Sequence, residues 1–541
     1  MRCSSALFLA IVFPFLVLAQ AETPRATPVV LLSDLGNHHH PIATKVPEAQ
    51  RFFDQGLILA FGFNREEALR SFRRAAELDP ASPMPYWGIA LALGLHLNMN
   101  LDMDVDHAQA YGAIQKALAL SKNAPPYERA YVEAMARRCS KDAKPDSAKL
   151  DADYNSAMAA LVKTYPDDLD AGAFYAESLM DLHRYDWFDS NGNPTGPTNQ
   201  ILSLLESILL RDPAHPLANH LYIHVLDTSS HPARALDAAS HLEHDAPGIG
   251  HLPHMGGHIY SSAGDFASAA RANLAAAEAD RRYMATTGIS HSAYAIGYYP
   301  HHIHFAAYAL TEQGSESESV AEAEVLRSFA EPHIAEMPEM IDYYLRVPFL
   351  TLLRFQHWDQ LLAYPQPIPR AVMSRTLWHF ARAMAFAAKK DAARAREEQR
   401  AFEESRQAIP AGTMFGFNPA DKIMELAATV LRARLIASDE SLALWRQAVA
   451  QQDALLYDDP PAWNYPLRES LGAALYRASR FAEAEEVFRE NLRRMPRNPR
   501  GLFCLWRAVL AQGRNDDAAW IHHQFTEVWK GVGLDSSLEN F

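Results

Sequence analysis

Apolar residues recur along most of this chain at the three- and four-residue spacing that places them on one face of an α-helix. Residues 383–395 and 502–528 are two examples, the first of them rich in Ala and Arg. Alternation of apolar and polar residues, which marks a half-buried strand, extends over only a few residues at a time. The pattern therefore predicts an all-α protein with almost no β-structure.

One pattern of five residues recurs near both ends of the chain. It comprises Gly56, Ala68, Phe72, Ala75 and Pro80 in the first copy, and Gly472, Ala484, Phe488, Asn491 and Pro496 in the last. Small residues let two helices approach closely, a large apolar residue fills the remaining gap, and proline stops the second helix. Further copies end at Pro213 and Pro247, which are 34 residues apart.

This arrangement resembles the tetratricopeptide repeat, a 34-residue pair of antiparallel helices. The resemblance implies a right-handed superhelical solenoid over about residues 46–535, in which the first helices of successive repeats line a concave groove. We expect an N-terminal group of repeats at 46–165, a central group at 166–320 and a C-terminal group at 321–541. A histidine-bearing segment, residues 22–45, precedes them.

The first 21 residues have the composition of a signal peptide. Arg2 supplies a positive charge, residues 6–18 are apolar, and residues 19–21 form a small-x-small cleavage site. No later segment approaches the ~18–20 consecutive apolar residues that a membrane helix needs. Residues 1–21 are therefore predicted to direct export, and the mature protein is predicted to be periplasmic or secreted, without a membrane span.

Composition narrows the range of partners. The 541 residues include 65 acidic and 50 basic side chains, which gives a formal net charge of −15 at pH 7. Nucleic-acid binding needs a basic surface that displaces counterions, so the charge argues against it. Histidine is unusually frequent, with 24 residues against 16 methionines. The spacing of these histidines along the chain is more informative about function than their number.

Two pairs of histidines share one register. His220 and His224 are four residues apart, as are His254 and His258, so each pair lies on one face of a helix. Each residue of the second pair follows its counterpart by one 34-residue repeat. Both pairs fall at the fifth and ninth positions of a first helix, which face the groove in the repeat family that the chain resembles.

Packed helices lie ~8–10 Å apart, and two imidazoles can bridge that gap to a shared ion. The predicted ligands of one or two transition-metal ions are His220, His224, His254, His258 and His304, and the possible additional or orienting residues are Asp227, Glu177, His251 and His301. Imidazole donors without a thiolate suit zinc, copper, iron or nickel, and we expect copper or zinc, with copper favoured slightly by its intrinsic affinity and the predicted export. The alternative is a polar, histidine-lined groove that binds a peptide or an anion.

Two segments interrupt the repeat spacing on either side of these histidines. Residues 182–200 and 285–300 are both aromatic and contain glycine, and we expect them to form functional loops over the histidine cluster. Near the start of the chain, His38, His39 and His40 form a third feature. They are either a metal-capturing segment that folds into the groove or a polar leader.

The whole chain also resembles a group of exported bacterial tetratricopeptide-repeat proteins. The shared motifs are HHHP at 38–41, the first repeat at 52–80, HLYIH at 220–224, GHLPHMGGHIY at 250–260 and YPHHIHF at 299–305. The chain departs from that pattern at Arg65, where histidine is common, at Gly256 and Gly257, and at Asp227, where glutamate is usual. The resemblance implies a solenoid with a shared histidine site and no established reaction.

Two functions remain open from the sequence. The first is an exported repeat protein whose groove carries a transition-metal site and binds a protein, peptide or small-molecule partner. The second is a metalloenzyme on the same scaffold, such as a copper- or iron-type oxidoreductase. A structural zinc site is closed by four protein ligands, whereas a catalytic metal keeps one coordination position open for water or substrate.

Overall fold

The computed structural model describes residues 28–98, 106–142, 144–189, 192–436, 440–534, 538–539 and 541. The predicted signal peptide, residues 1–21, lies outside these ranges. Among the described helices, none combines the length and the apolar character needed to cross a bilayer.

The N-terminal part of the chain consists of helices joined by short turns. They are α1 (Pro47–Phe61), α2 (Arg65–Leu78), α3 (Met84–Leu93), α4 (His107–Ser121), α5 (Pro126–Met135), α6 (Ser147–Thr164), α7 (Leu169–Asp181) and α8 (Thr198–Arg211). Their starts follow local chemistry. Asn64, Asp146 and Asp168 each accept a hydrogen bond from a backbone N–H group in the first turn of the helix that follows.

The central part carries the helices that matter for the site. They are α9 (Pro216–Asp227), a 3₁₀ turn (Pro232–Ala235), α10 (Leu236–Asp245), α11 (His251–Ser262), α12 (Phe266–Thr287), α13 (Ala293–Gln313) and α14 (Glu316–Ala330). Gly264 and Gly314 adopt positive φ angles, of 78° and 92°, at the turns that end α11 and α13.

The C-terminal part continues the array. It contains a 3₁₀ turn (Glu331–His333), α15 (Pro338–Leu345), α16 (Val347–Arg354), α17 (Trp358–Ala363), α18 (Val372–Ala388), α19 (Ala392–Arg406), strands β1 (Met414–Phe415) and β2 (Asn418–Pro419), α20 (Ala420–Leu435), α21 (Glu440–Asp453), α22 (Leu467–Arg477), α23 (Phe481–Arg494), α24 (Pro499–Ala511) and α25 (Asn515–Val528). β1 and β2 form one antiparallel hairpin. The predicted all-α solenoid of TPR-like helical hairpins is confirmed.

The recurring glycine and phenylalanine meet as the repeat pattern requires. A methyl group added at Gly56 would lie 2.6 Å from the Phe72 ring, and one at Gly472 would overlap the Phe488 ring. Phe72 and Phe488 are fully buried. Each pair thus joins two antiparallel helices at a distance that a larger residue would prevent.

The array curls until distant helices touch. α1 packs on α9, α2 packs on α13, and α13 packs on α24. The Glu66 carboxylate accepts hydrogen bonds from the backbone N–H groups of Ala293 and Tyr294, at 3.0 and 3.2 Å. The inner faces of α9, α11 and α13 are therefore covered by other parts of the chain.

Buried apolar side chains form two clusters, one between Ile42 and Leu310 and the other between Ala277 and Leu538. They overlap in sequence at α12 and α13, where the two halves of the array meet. The division at residues 165 and 320 stays a prediction.

Of the two predicted loops, the structure contains the first and corrects the second. The described residues between α7 and α8, 182–189 and 192–197, lie outside any helix, and the Trp187 side chain among them is fully buried. Most of 285–300 is helical instead, because α12 continues to Thr287 and α13 already begins at Ala293. Gly288, with a φ of 70°, ends the first helix, and Ser292 caps the second through a hydrogen bond from Ala295 N–H.

Candidate metal centre

Three neighbouring helices direct a continuous row of imidazoles into the interior. α9 contributes His220 and His224, α11 contributes His251, His254 and His258, and α13 contributes His301 and His302. We call these seven residues the histidine chain. All are buried except His301, which is half-buried. The i, i+4 spacing places each pair on one helix face, and helix packing brings the faces together.

Within each i, i+4 pair the two Nε2 atoms almost touch. They are 3.1 Å apart in His220 and His224, and 2.9 Å apart in His254 and His258. Two nitrogen ligands of one ion, each at ~2.0–2.1 Å, are roughly 2.9–3.4 Å apart when they subtend 90–110° at the metal. Both pairs therefore already have the spacing of adjacent ligands.

The histidine chain contains three overlapping triads of donor nitrogens. The α9 triad is His220, His224 and His251, the middle triad is His251, His254 and His302, and the α11 triad is His254, His258 and His301. In each triad the three donor atoms lie within 4.8 Å of one another. The α9 triad and the α11 triad share no residue, whereas the middle triad takes one residue from each.

Buried acceptors fix the orientation of two of the rings. Nδ1–H of His220 donates to the carbonyl oxygen of Phe61 at 2.6 Å. Nδ1–H of His254 donates to Oδ1 of Asn273, also at 2.6 Å, and the Asn273 amide is itself oriented by donating to the Ala269 carbonyl. With the proton held on Nδ1, the lone pair lies on Nε2, which faces the other imidazoles.

Carboxylates fix two further rings. Nδ1–H of His258 lies 3.0 Å from Oδ2 of Asp227 and 3.1 Å from Oδ2 of Asp459. Nδ1–H of His302 donates to Asp280 at 2.6 Å, and its buried Nε2 atom has no hydrogen-bond partner among the described residues. Carboxylate–histidine pairs of this kind orient metal-binding imidazoles and increase their basicity.

The environment leaves most of these rings neutral. Burial lowers the pKa of His220 to about 4, and burial together with the neighbouring imidazoles lowers the pKa of His224, His251 and His254 well below the ordinary value. At His258 burial acts in the same direction, but Asp227 and Asp459 outweigh it and raise the pKa to about 10. Neutral imidazole is the form that binds a metal ion.

Aromatic rings close the α9 triad. Phe63 lies in the turn between α1 and α2 with a φ of 58°, and its ring centroid is 4.5 Å from that of His220 and 5.2 Å from that of His251. The ring of Tyr298 also packs against the site, and its centroid is 4.8 Å from that of the His251 ring. These rings separate the nitrogens from bulk water.

The structure brings together most of the predicted site residues. His220, His224, His254 and His258 belong to the histidine chain, and so do the auxiliary candidates His251 and His301. Asp227 orients His258, which is one of the two roles predicted for it.

Two predicted residues lie elsewhere. His304 packs against the rings of Tyr343 and Tyr344, with centroids 5.6 and 5.7 Å away, and belongs to none of the three triads. His302 of α13 supplies a donor atom to the middle triad instead. Glu177 lies in a separate charged cluster, where burial and Asp181 raise its pKa to about 7.

Sequence reasoning missed four residues of this site: His302, Asn273, Asp280 and Asp459. His302 was detectable as the neighbour of His301, but the sequence analysis assigned the inward position to His304. Asp459 had no local signal, because it reaches His258 only when the segment before α22 folds across the groove.

The N-terminal histidines form a second cluster around one carboxylate. Asp170 Oδ2 is 2.6 Å from Nδ1 of His40, and Asp170 Oδ1 is 3.1 Å from Nε2 of His38 and 3.2 Å from Nε2 of His215. Burial raises the pKa of Asp170, but the three imidazoles outweigh it and hold the pKa well below the ordinary value. This cluster, which we call the Asp170 hub, fixes the segment before α1 against α7 and α9.

No protein-family model matches the chain, and no curated protein sequence matches it. Solved structures give weak matches over most of its length. Human IFIT1 bound to m7Gppp-AAAA is 10% identical over 90% of this chain and 91% of that chain, with a TM-score of 0.30. Yeast Tom70 is 12% identical over 90% and 93%, with a TM-score of 0.29.

The Cut9–Hcn1 assembly of the APC/C is 11% identical over 92% of this chain and 96% of that chain, with a TM-score of 0.25. Similarities this low support no statement about ligands or partners. The helical-repeat fold rests on the helix packing described above.

Proposed function

We propose that this protein binds transition-metal ions in the histidine chain, inside a helical-repeat solenoid that is exported from the cell. The observation that carries the proposal is the pairing of Nε2 atoms. Those of His254 and His258 face each other at 2.9 Å while both Nδ1 atoms are held by acceptors. The raised pKa of His258 leaves one proton between these two nitrogens, and a metal ion that displaced this proton would be held by both imidazoles.

Copper and zinc are the metals that these donors favour. Seven imidazoles and no thiolate form the chain, and imidazole suits copper and zinc well. The site is enclosed by Phe63 and Tyr298, so the ligand that enters it is an ion with at most a small molecule. A protein or peptide partner would bind elsewhere on the solenoid surface.

A metalloenzyme is the second candidate, and one observation favours it. Asp459 lies beside the α11 triad, 3.1 Å from Nδ1 of His258, and burial raises its pKa to about 6. The Tyr457 hydroxyl donates to Asp227 in the same place. Carboxyl groups with such pKa values next to a metal can transfer protons near neutral pH.

Metal analysis of the purified mature chain tests the proposal. After loading with Zn²⁺ or Cu²⁺ and desalting, we expect at least one tightly bound ion per wild-type chain, and severe loss in His254→Ala and His258→Ala. His241→Ala is the matched control, because His241 lies on α10, is partly exposed and pairs with Asp245. Wild-type protein that retains no metal after loading at neutral pH would disprove the proposal.

A further inference from the structure

We propose that the two outer triads differ in the charge of the ion that they accept: the α11 triad binds a divalent cation and also accepts a cuprous ion, whereas the α9 triad binds only the monovalent cuprous ion. This inference rests on the proposed metal-binding function and adds the number and the charge class of the ions.

The two outer triads are separate sites that can be filled together. The α9 triad uses His220, His224 and His251, and the α11 triad uses His254, His258 and His301, so no imidazole is shared. An ion in the middle triad would instead take His251 from one site and His254 from the other. Two ions in the outer triads would use six imidazoles as ligands, whereas a single ion in the middle triad would use three.

Anionic partners lie beside the α11 triad. Asp227 and Asp459 both contact Nδ1 of His258, at 3.0 and 3.1 Å, and both side chains are nearly buried. Together with a divalent ion they give a charge sum of zero. A buried ion is stable only where opposite charge and hydrogen bonds compensate its lost hydration, so this triad suits Zn²⁺ or Cu²⁺.

The α9 triad has a different environment. Its orienting acceptor is the neutral carbonyl of Phe61, and among the described residues no carboxylate is hydrogen-bonded to His220, His224 or His251. The face of the Phe63 ring covers the site, and His96 stacks on that ring with a centroid separation of 4.4 Å.

The charged groups that act most strongly on His96 are cationic. Burial and then Arg65 and Arg184 lower the pKa of that imidazole well below the ordinary value. Because no carboxylate is hydrogen-bonded to its imidazoles among the described residues, a divalent ion in the α9 triad would have less charge compensation than one in the α11 triad. A monovalent ion carries half the charge and a much smaller desolvation cost, and an aromatic face interacts favourably with it.

Copper(I) meets this requirement. It is monovalent and soft, and the three neutral imidazoles of the α9 triad give it a complete donor set without a carboxylate. The ion is bound in the oxidation state in which it is supplied, so binding involves no redox step.

Stoichiometry under two conditions tests the inference on the full mature chain. At pH 7.5 we expect one Zn²⁺ per chain after desalting, and two Cu⁺ per chain when copper is supplied anaerobically with a reductant in excess. Retention of two Zn²⁺ ions, or of a single Cu⁺, would overturn the inference and leave the proposed function standing. Retention of neither metal would overturn both.

Two variants assign the ions to the triads. Asp459→Asn removes one negative charge and keeps the side-chain shape. We expect its affinity for Zn²⁺ to fall at least ~10-fold, while the chain still binds two Cu⁺ ions. His224→Ala should reduce Cu⁺ from two to one and leave Zn²⁺ at one. Loss of Zn²⁺ in His224→Ala, with a wild-type helical circular dichroism spectrum, would contradict the assignment. The wild-type stoichiometries decide the inference even where a variant fails to fold.

Discussion

Oδ2 of Asp459 lies 3.1 Å from Nδ1 of His258, although Asp459 lies in the segment before α22 and His258 lies in α11. Both side chains are about nine-tenths buried, at 11% exposure each. Asp227 accepts from the same nitrogen at 3.0 Å and comes from α9. The α11 triad is therefore complete only when three distant segments of the solenoid have docked.

Metal should stabilise this docked state. An ion that binds only the folded chain adds RT ln(1 + [L]/Kd) to the free energy of unfolding, about 2.7 kcal/mol at a hundredfold excess over Kd. We expect Zn²⁺ to raise Tm by several degrees and a chelator to reverse the change, measured by circular dichroism. Asp459→Asn should show a smaller rise. Asp421→Asn, an exposed position on α20, should keep the wild-type rise, and an equal rise in both variants would argue against a role for Asp459.

Double substitutions should reveal which residues share an ion. The sequence predicts that His224 and His258 bind one ion, but the structure places them in different triads. We therefore expect the losses of copper affinity in His224→Ala and His258→Ala to add, because separate sites are independent. His254→Ala with His258→Ala should cost little more than either change alone. Titration calorimetry measures both cycles, and strong coupling between His224 and His258 would indicate one shared central ion.

Gly257 should be intolerant of a side chain. A methyl group there would overlap Nδ2 of Asn273, the residue that orients His254. We expect Gly257→Ala to lower the free energy of unfolding by ~1–3 kcal/mol and to reduce metal occupancy. Gly112→Ala is the matched control in α4, because nothing lies within 4 Å of the added methyl group. It should stabilise the protein by up to ~1 kcal/mol through helix propensity.

The Asp170 hub should make the free energy of unfolding depend on pH in the acidic range. The folded-state pKa of Asp170 is depressed, so its contribution is present above the unfolded value of ~3.9 and is lost as the pH falls below it. His40, whose folded-state pKa is raised, is protonated in both states throughout this acidic range and adds no slope there.

Urea unfolding at pH 5 and pH 3 measures this effect. Asp170→Asn should be less stable than wild type at pH 5, and the difference should shrink at pH 3. Limited proteolysis at pH 5 should cut residues 28–46 faster in the variant. A difference that is equal at both pH values would show that the carboxylate charge of Asp170 contributes nothing.

Much of the fold could be predicted from the sequence because it depends on local patterns. The spacing of Gly56 and Phe72 reappears at Gly472 and Phe488, and each pair packs as a repeat hairpin requires. The register of His220 and His224 against His254 and His258 was equally readable, since helical periodicity and a 34-residue repeat fix both. The prediction of a loop at 285–300 was wrong, because Gly288 ends α12 and Ser292 caps the start of α13 within that range.

The sequence by itself determined the helices, the repeat and the inward face of four histidines, because each of these follows from spacing within about one repeat. The tertiary structure alone decided that His302 rather than His304 joins the histidine chain, since this depends on how α13 packs against α11. It also decided that Asp459 reaches His258 and that His38 and His40 meet Asp170. Contacts between distant segments depend on the curvature of the whole solenoid, which accumulates from small rotations between repeats that no local pattern specifies.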